Sequence, residues 1–212
     1  MNKKILILYG FICLVAGVVG TTPLLSFLLG FIPSSISLVT LNPFDGINTL
    51  VMVGFGIFFV LFNIGFFAYL SFWIQDALTK KEKNIINPLF LWAIVLFILG
   101  LVFGFFATTL IIFPAMVEIN FSLGLTQLWG FSETLVSLVL LSLITGVCFE
   151  FPLLIKALIK SNLVKVEDLK KKRLFVLVGV FVLVNLVTPT GDLFTSLVFG
   201  VPLYILFEVG LL

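Results

Sequence analysis

Apolar residues run along this chain in long unbroken stretches, with the polar positions gathered into short segments between them. The stretches at 5–31, 49–72, 88–112, 135–159, 174–187 and 193–212 predict six helices, since a run of about 18 or more apolar residues marks a helix that crosses a bilayer. Thr21-Thr22-Pro23 interrupts the first. A proline removes a backbone donor, so the spiral is expected to bend or end there and the remainder to lie along the membrane surface. Gly54 and Gly56 offer the second helix a close approach to a neighbour. Pro88 opens the third, at a first-turn position where a missing N–H costs nothing. The fifth stretch gives only about 21 Å of helix against a hydrocarbon core of about 30 Å, which implies a thinned bilayer. A tight turn, Thr188-Pro189-Thr190-Gly191-Asp192, separates it from the sixth, which contains Pro202 and the carboxylate Glu208.

The fourth stretch organises the rest. Ser142, Gly146 and Glu150 fall at i, i+4 and i+8, so one small and polar stripe runs down an otherwise apolar helix. A charge at the position of Glu150 costs roughly 2.5–3.5 kcal/mol and persists only where it faces protein or a water-filled cavity. Two readings stay open: a functional intramembrane carboxylate, or interior packing satisfied by a neighbouring helix.

Composition turns the six stretches into spans. Of 212 residues, 61% are hydrophobic and 10% charged, with a mean hydropathy of +1.33. That leaves too little polar surface for a water-soluble domain, so the expectation is one all-α membrane domain over 1–212. Two of the 12 basic residues precede the first stretch, three lie between the second and third, and seven lie in 156–173; the other connections have none. The positive-inside rule then places both termini and the two basic loops in the cytoplasm, with six spans. The run from Ile5 is too long for a signal-peptide core and is expected to be retained.

There is no His, and Cys13 and Cys148 both lie in apolar runs, so neither a metal-ligand cluster nor a disulfide framework is expected. Phosphate-binding, nucleophile-elbow and zinc-protease motifs are absent from the sequence. No enzymatic activity, cofactor or nucleic-acid partner is expected.

Five short motifs in order carry a resemblance. Phe113-Pro114 follows the third span, and Phe149-Glu150-Phe151-Pro152 gives F-E-x-P in the fourth. Glu167-Asp168-Leu169-Lys170-Lys171-Lys172-Arg173 is acidic then basic, a Thr-Pro turn ends in Asp192, and Pro202-Leu203-Tyr204-Ile205-Leu206-Phe207-Glu208 gives P-x-Y-x-x-[FY]-E. From about Pro43 to the end, the chain resembles the TatC family, the polytopic core of the twin-arginine protein translocase.

The resemblance implies a receptor and scaffold. Trp73 and Glu82 stand where the family contacts signal peptides, and a carboxylate there suits the planar fork of an arginine; on the sequence alone, Glu82 reads as a solvated loop charge. Glu150 corresponds to the family's embedded carboxylate. Asn185, Thr188, Asp192 and Ser196 stand near the turn where single-span TatA/TatB-type subunits dock, with internal turn capping the other reading of Asn185 and Thr188. Glu208 reads as a charge snorkelling to the interface, and Pro43 as structural. Partners would be twin-arginine signal peptides of folded cargo, single-span subunits, lipid and further copies of the chain, in a plasma membrane or, alternatively, an organellar inner or thylakoid membrane. This sequence departs from the family pattern in several places. It begins Met1-Asn2-Lys3-Lys4 with no E-L-R type motif, it has Asp76 at a proline position, its Thr-Pro turn is one residue longer, and Ser196 stands where an amide is usual. Two other functions remain: a proton-coupled small-solute transporter using Glu150, and a non-transporting TatC paralogue.

Overall fold

The computed structural model describes residues 3–75, 80–160, 166–187 and 193–211, with side chains from residue 7 onward except at 74–88, 160, 183, 186 and 187. In chain order the elements are α1 (Lys3–Leu29), β1 (Ser37–Val39), α2 (Asp45–Gln75), α3 (Lys80–Ala107), a π turn (Thr108–Ile112), α4 (Phe113–Ser122), β2 (Leu128–Gly130), α5 (Phe131–Phe149), α6 (Phe151–Lys160), α7 (Val166–Lys171), α8 (Arg173–Val187) and α9 (Leu193–Gly210). Among the described residues, five helical segments are long and apolar enough to cross a membrane: Ile7–Leu29, Asp45–Trp73, Leu89–Ser122, Phe131–Ile159 and Leu193–Gly210. A shorter apolar segment, Arg173–Val182, belongs to α8. The protein is an all-α membrane protein, its only departure among the described residues being one pair of three-residue strands.

Four features differ from the sequence expectation. α1 continues through Pro23 instead of breaking at Thr21-Thr22-Pro23. Pro23 removes only the bond its N–H would give to the Val19 carbonyl, and one lost rung is tolerated where a membrane helix packs on a neighbour, as α1 does on α2 at Gly17. α2 starts at Asp45 rather than residue 49, because buried Asp45 accepts from the Leu41 and Asn42 N–H groups at 2.7 and 2.9 Å. The segment from 113, expected to be loop, begins with ten residues of helix. Pro114 lacks the N–H that would close the preceding turn, and the chain accommodates this with the wide π turn before continuing as α4. The fourth stretch is split at Glu150 into α5 and α6.

The chain divides into two compact units, Met1–Phe90 with Thr108–Leu140, and Leu91–Ala107 with Leu141–Leu212. In the first, α1 and α2 pack closely. A methyl group on Gly17 would lie 2.6 Å from the Gly54 carbonyl oxygen, and one on Gly54 3.0 Å from Thr21 Oγ1. Tyr9 covers Gly65 and donates to the Leu61 carbonyl at 2.6 Å. Because residue 9 meets 65 while 17 meets 54, the two helices run antiparallel. The connections that lack basic residues are tied together: β1 pairs in parallel with β2, Asn48 donates to Ser132 at 3.2 Å, and the Phe113 ring meets Trp129 edge-on at 5.5 Å. α4 ends at Gly124, whose φ of 73° favours glycine.

In the second unit, α3 and α5 meet along small residues. A methyl on Gly100 would fall 2.7 Å from the Thr145 carbonyl oxygen, and one on Gly104 2.8 Å from Ser142 Cα. The spacing Gly100-x-x-x-Gly104 lets two backbones approach this closely. α6 packs on α9 through Ile155, Phe207 and Leu211, and α8 lies on α9 where Phe181 covers Gly200.

Candidate functional site

The junction between α5 and α6 is written in Phe149-Glu150-Phe151-Pro152. Pro152 has no N–H to donate to the Cys148 carbonyl, so one rung of the ladder is lost here. The Glu150 N–H instead reaches the Val147 carbonyl at 3.1 Å, and the Glu150 carbonyl accepts from Leu153 and Leu154 at 3.0 and 3.1 Å. Glu150 thus sits at the turn between two helices, half-buried, with carboxylate oxygen Oε1 shielded from solvent. The stripe leading to it lies on the seam with α3: Ser142 and Gly146 are buried, and Gly146 meets Phe97 and Leu101. Beside the junction, the Phe149 ring lies 5.6 Å from Phe103, which meets Phe199 edge-on at 6.4 Å. The structure therefore places Glu150 at a break in a membrane helix, next in the chain to a ring that packs on α3.

A second candidate surface runs along α8, from its contact with α9 at Phe181 to its exposed side at Val178 and Val182. Leu177, Val178, Phe181, Val182 and Asn185 line an open groove of about 610 Å³. Their spacing, i, i+1, i+4, i+5 and i+8, places them on one helix face. Asn185 is exposed, and its Nδ2 donates to the Phe181 carbonyl at 2.8 Å, a bond back to its own helix one turn earlier.

The other predicted residues belong to several elements. Ser196 is buried with Thr195 and Phe199 on the packed face of α9, so the structure does not bring it to the surface that carries Asn185. Trp73 is exposed near the end of α2. Glu82 belongs to the first turn of α3, but its side chain lies outside the described residues, as do Thr188 and Asp192. Pro43 occupies the second position of the turn Asn42–Asp45, closed by a 3.1 Å bond from the Asp45 N–H to the Asn42 carbonyl, where its fixed φ is favoured. Glu208 is not a free snorkelling charge: it accepts from Arg173 at 2.7 Å and from the Tyr204 hydroxyl at 2.9 Å.

Sequence reasoning gave no role to Gly100 and Gly104, and met Arg173 and Tyr204 only as members of motifs, without their link to Glu208. The first two were legible as a Gly-x-x-x-Gly spacing, and Tyr204 stands one turn before Glu208. The partnership of Arg173 and Glu208 joins residues 35 positions apart, and nothing local signals it.

Comparison with known proteins agrees with this architecture. The family model for the Sec-independent protein translocase protein TatC matches residues 2–202. The chain is similar to the TatC protein of Aquifex aeolicus, 28% identical over 181 residues that cover 83% of this chain and 73% of that one. With the TatC protein of Escherichia coli K12 it is 34% identical over 137 residues, covering 65% of this chain and 52% of the relative, so the match spans about half of that protein's length. A crystal structure of the twin-arginine translocase receptor TatC shares the fold, with a TM-score of 0.77 at 23% identity, covering 98% of this chain and 94% of that one. With the family model matched over nearly all of its length, the chain belongs to the TatC family of Sec-independent protein translocase proteins.

Proposed function

We propose that this chain is the receptor and scaffold of a twin-arginine translocase. It binds twin-arginine signal peptides at its basic, cytoplasmic end, and it recruits single-span subunits that build the passage for folded cargo. Both termini face the cytoplasm of a prokaryotic cell, and the proton-motive force drives transport. The observation that carries this reading is the extent of the family match, residues 2–202, which includes Trp73, Glu82, Glu150, Asn185, Thr188, Asp192 and Ser196. The geometry adds a specific surface. α8 has 15 residues, about 22 Å of helix, and its outward groove is apolar with one amide, which suits another membrane helix.

The test is export of a folded reporter carrying a twin-arginine signal, in cells that lack their own TatC but contain this chain and its cognate single-span subunits. Export should occur, stop when both arginines become lysines, and fall sharply in Glu82→Lys. Absence of export from stably inserted protein would reject the proposal. One observation favours a second reading, a proton-coupled solute transporter: Glu150 stands at a helix break, and broken helices bearing an ionisable group line many transport sites. Proton-dependent solute uptake by vesicles containing this chain alone would establish it.

A further inference from the structure

The two embedded carboxylates of the second unit keep different company. Glu150 stands at a helix junction, whereas Glu208 engages a partner with each oxygen. Its Oε2 accepts from Arg173 Nη2 at 2.7 Å and its Oε1 from the Tyr204 hydroxyl at 2.9 Å. Tyr204 is one turn back on α9 and holds the carboxylate in one orientation. Arg173 is the first residue of α8, so the ion pair crosses between helices. A carboxylate that only snorkelled would turn its head group to water; this one turns toward α8.

The pair is partly exposed, 46% for Arg173 and 31% for Glu208. Ion pairs at such exposure add little to stability. They can still fix a register, because α8 has another close contact with α9 two turns further on. There a methyl on Gly200 would come within 3.2 Å of the Phe181 ring. A helix pinned at both places resists rotation about its own axis, and the rotation of α8 decides where Leu177, Val178, Phe181, Val182 and Asn185 point.

We infer that Glu208 is a positioning residue: with Tyr204 it captures Arg173, sets the rotation of α8 on α9, and so determines which face of α8 a single-span helix meets. The second half of this inference rests on the docking function proposed above.

The experiment uses the full chain in membranes, with Cys13 and Cys148 changed to alanine and spin labels at Val178 and Ile205, both exposed positions. Without any partner, the parent should give one narrow distance distribution. Glu208→Gln should broaden it about twofold, Tyr204→Phe should broaden it less, and the exchange Arg173→Glu with Glu208→Arg should narrow it again. In the presence of a single-span subunit, photo-crosslinking from Val178 should fall roughly three- to fivefold in Glu208→Gln and recover in the exchange. A mere loss of packing would lower the amount of inserted protein without being rescued by exchanged charges. An unchanged distribution in Glu208→Gln, or an exchange as broad as either single variant, overturns the inference. A parent that shows the narrow distribution but gives no crosslink anywhere along α8 keeps the register and overturns the docking half.

Discussion

α5 and α8 are both apolar helices with parts in the same unit, yet they are held in opposite ways. α5 lies against α3 so tightly that Gly100 and Gly104 leave no room for a methyl group. α8 meets α9 at Phe181 over Gly200 and at Arg173 with Glu208, and it turns Leu174, Phe175, Val178 and Val182 outward, each more than half exposed. Hydrophobicity does not separate the two, since lipid is as apolar as leucine and supplies no drive for one greasy face to leave it. Residue size does. Small residues at four-residue spacing mark a helix that is fixed in place, and a short helix with large outward residues and one amide presents a face.

The strongest way to break this contrast is to fill the seam. Gly104→Leu puts a branched side chain where even a methyl would stand 2.8 Å from Ser142 Cα, and overpacking of this kind costs about 1–3 kcal/mol or more. The midpoint of thermal aggregation in detergent should drop by about 5 °C or more, and less protein should accumulate in membranes. A midpoint equal to that of the parent would remove the seam as the element that fixes α5.

The groove on α8 should respond the other way round. Val178→Trp with Val182→Trp fills the outward face but touches no buried neighbour, so stability should change by no more than about 0.5 kcal/mol. Crosslinking to a single-span subunit should nevertheless fall about tenfold, the equivalent of about 1.4 kcal/mol of docking. If thermal stability falls as far as in Gly104→Leu, α8 is a packed helix like α5 and the contrast fails.

Much of this was readable before the structure, and what was not has identifiable physical causes. Long apolar runs are strong signals, so all six stretches reappear as helices, and Ser142 and Gly146 do lie on a seam. The boundaries moved where side chains overrule local pattern: Asp45 starts α2 early by holding two N–H groups from the preceding turn, and Pro114 prolongs the third helix through a π turn instead of ending it. Pro152 splits the fourth stretch while Pro23 and Pro202 leave α1 and α9 continuous, and periodicity gives no means of ranking three prolines in equally apolar runs. The candidate residues were legible as a set of types at motif spacings. Their surroundings were not, because the burial of Ser196 and the capture of Glu208 depend on contacts between segments far apart in the chain.

The smallest expected effect belongs to Asn185. Its amide already donates to the Phe181 carbonyl at 2.8 Å, so it has a local task whether or not a partner arrives. If that task were all, Asn185→Ala would loosen the end of α8 slightly and leave docking untouched. If the amide also bonds across to a single-span helix, the substitution removes an interhelical hydrogen bond, worth about 0.6 kcal/mol on average and up to about 1–2 kcal/mol in membranes. The docking function therefore leads us to expect a drop of roughly three- to fivefold in crosslinking from Val178, with the thermal midpoint unchanged. Asn185→Gln, which keeps the amide on a longer arm, should retain part of the signal. Crosslinking that survives Asn185→Ala at full strength would confine this residue to the bond within its own helix and leave the apolar side chains of α8 as the whole of the docking surface.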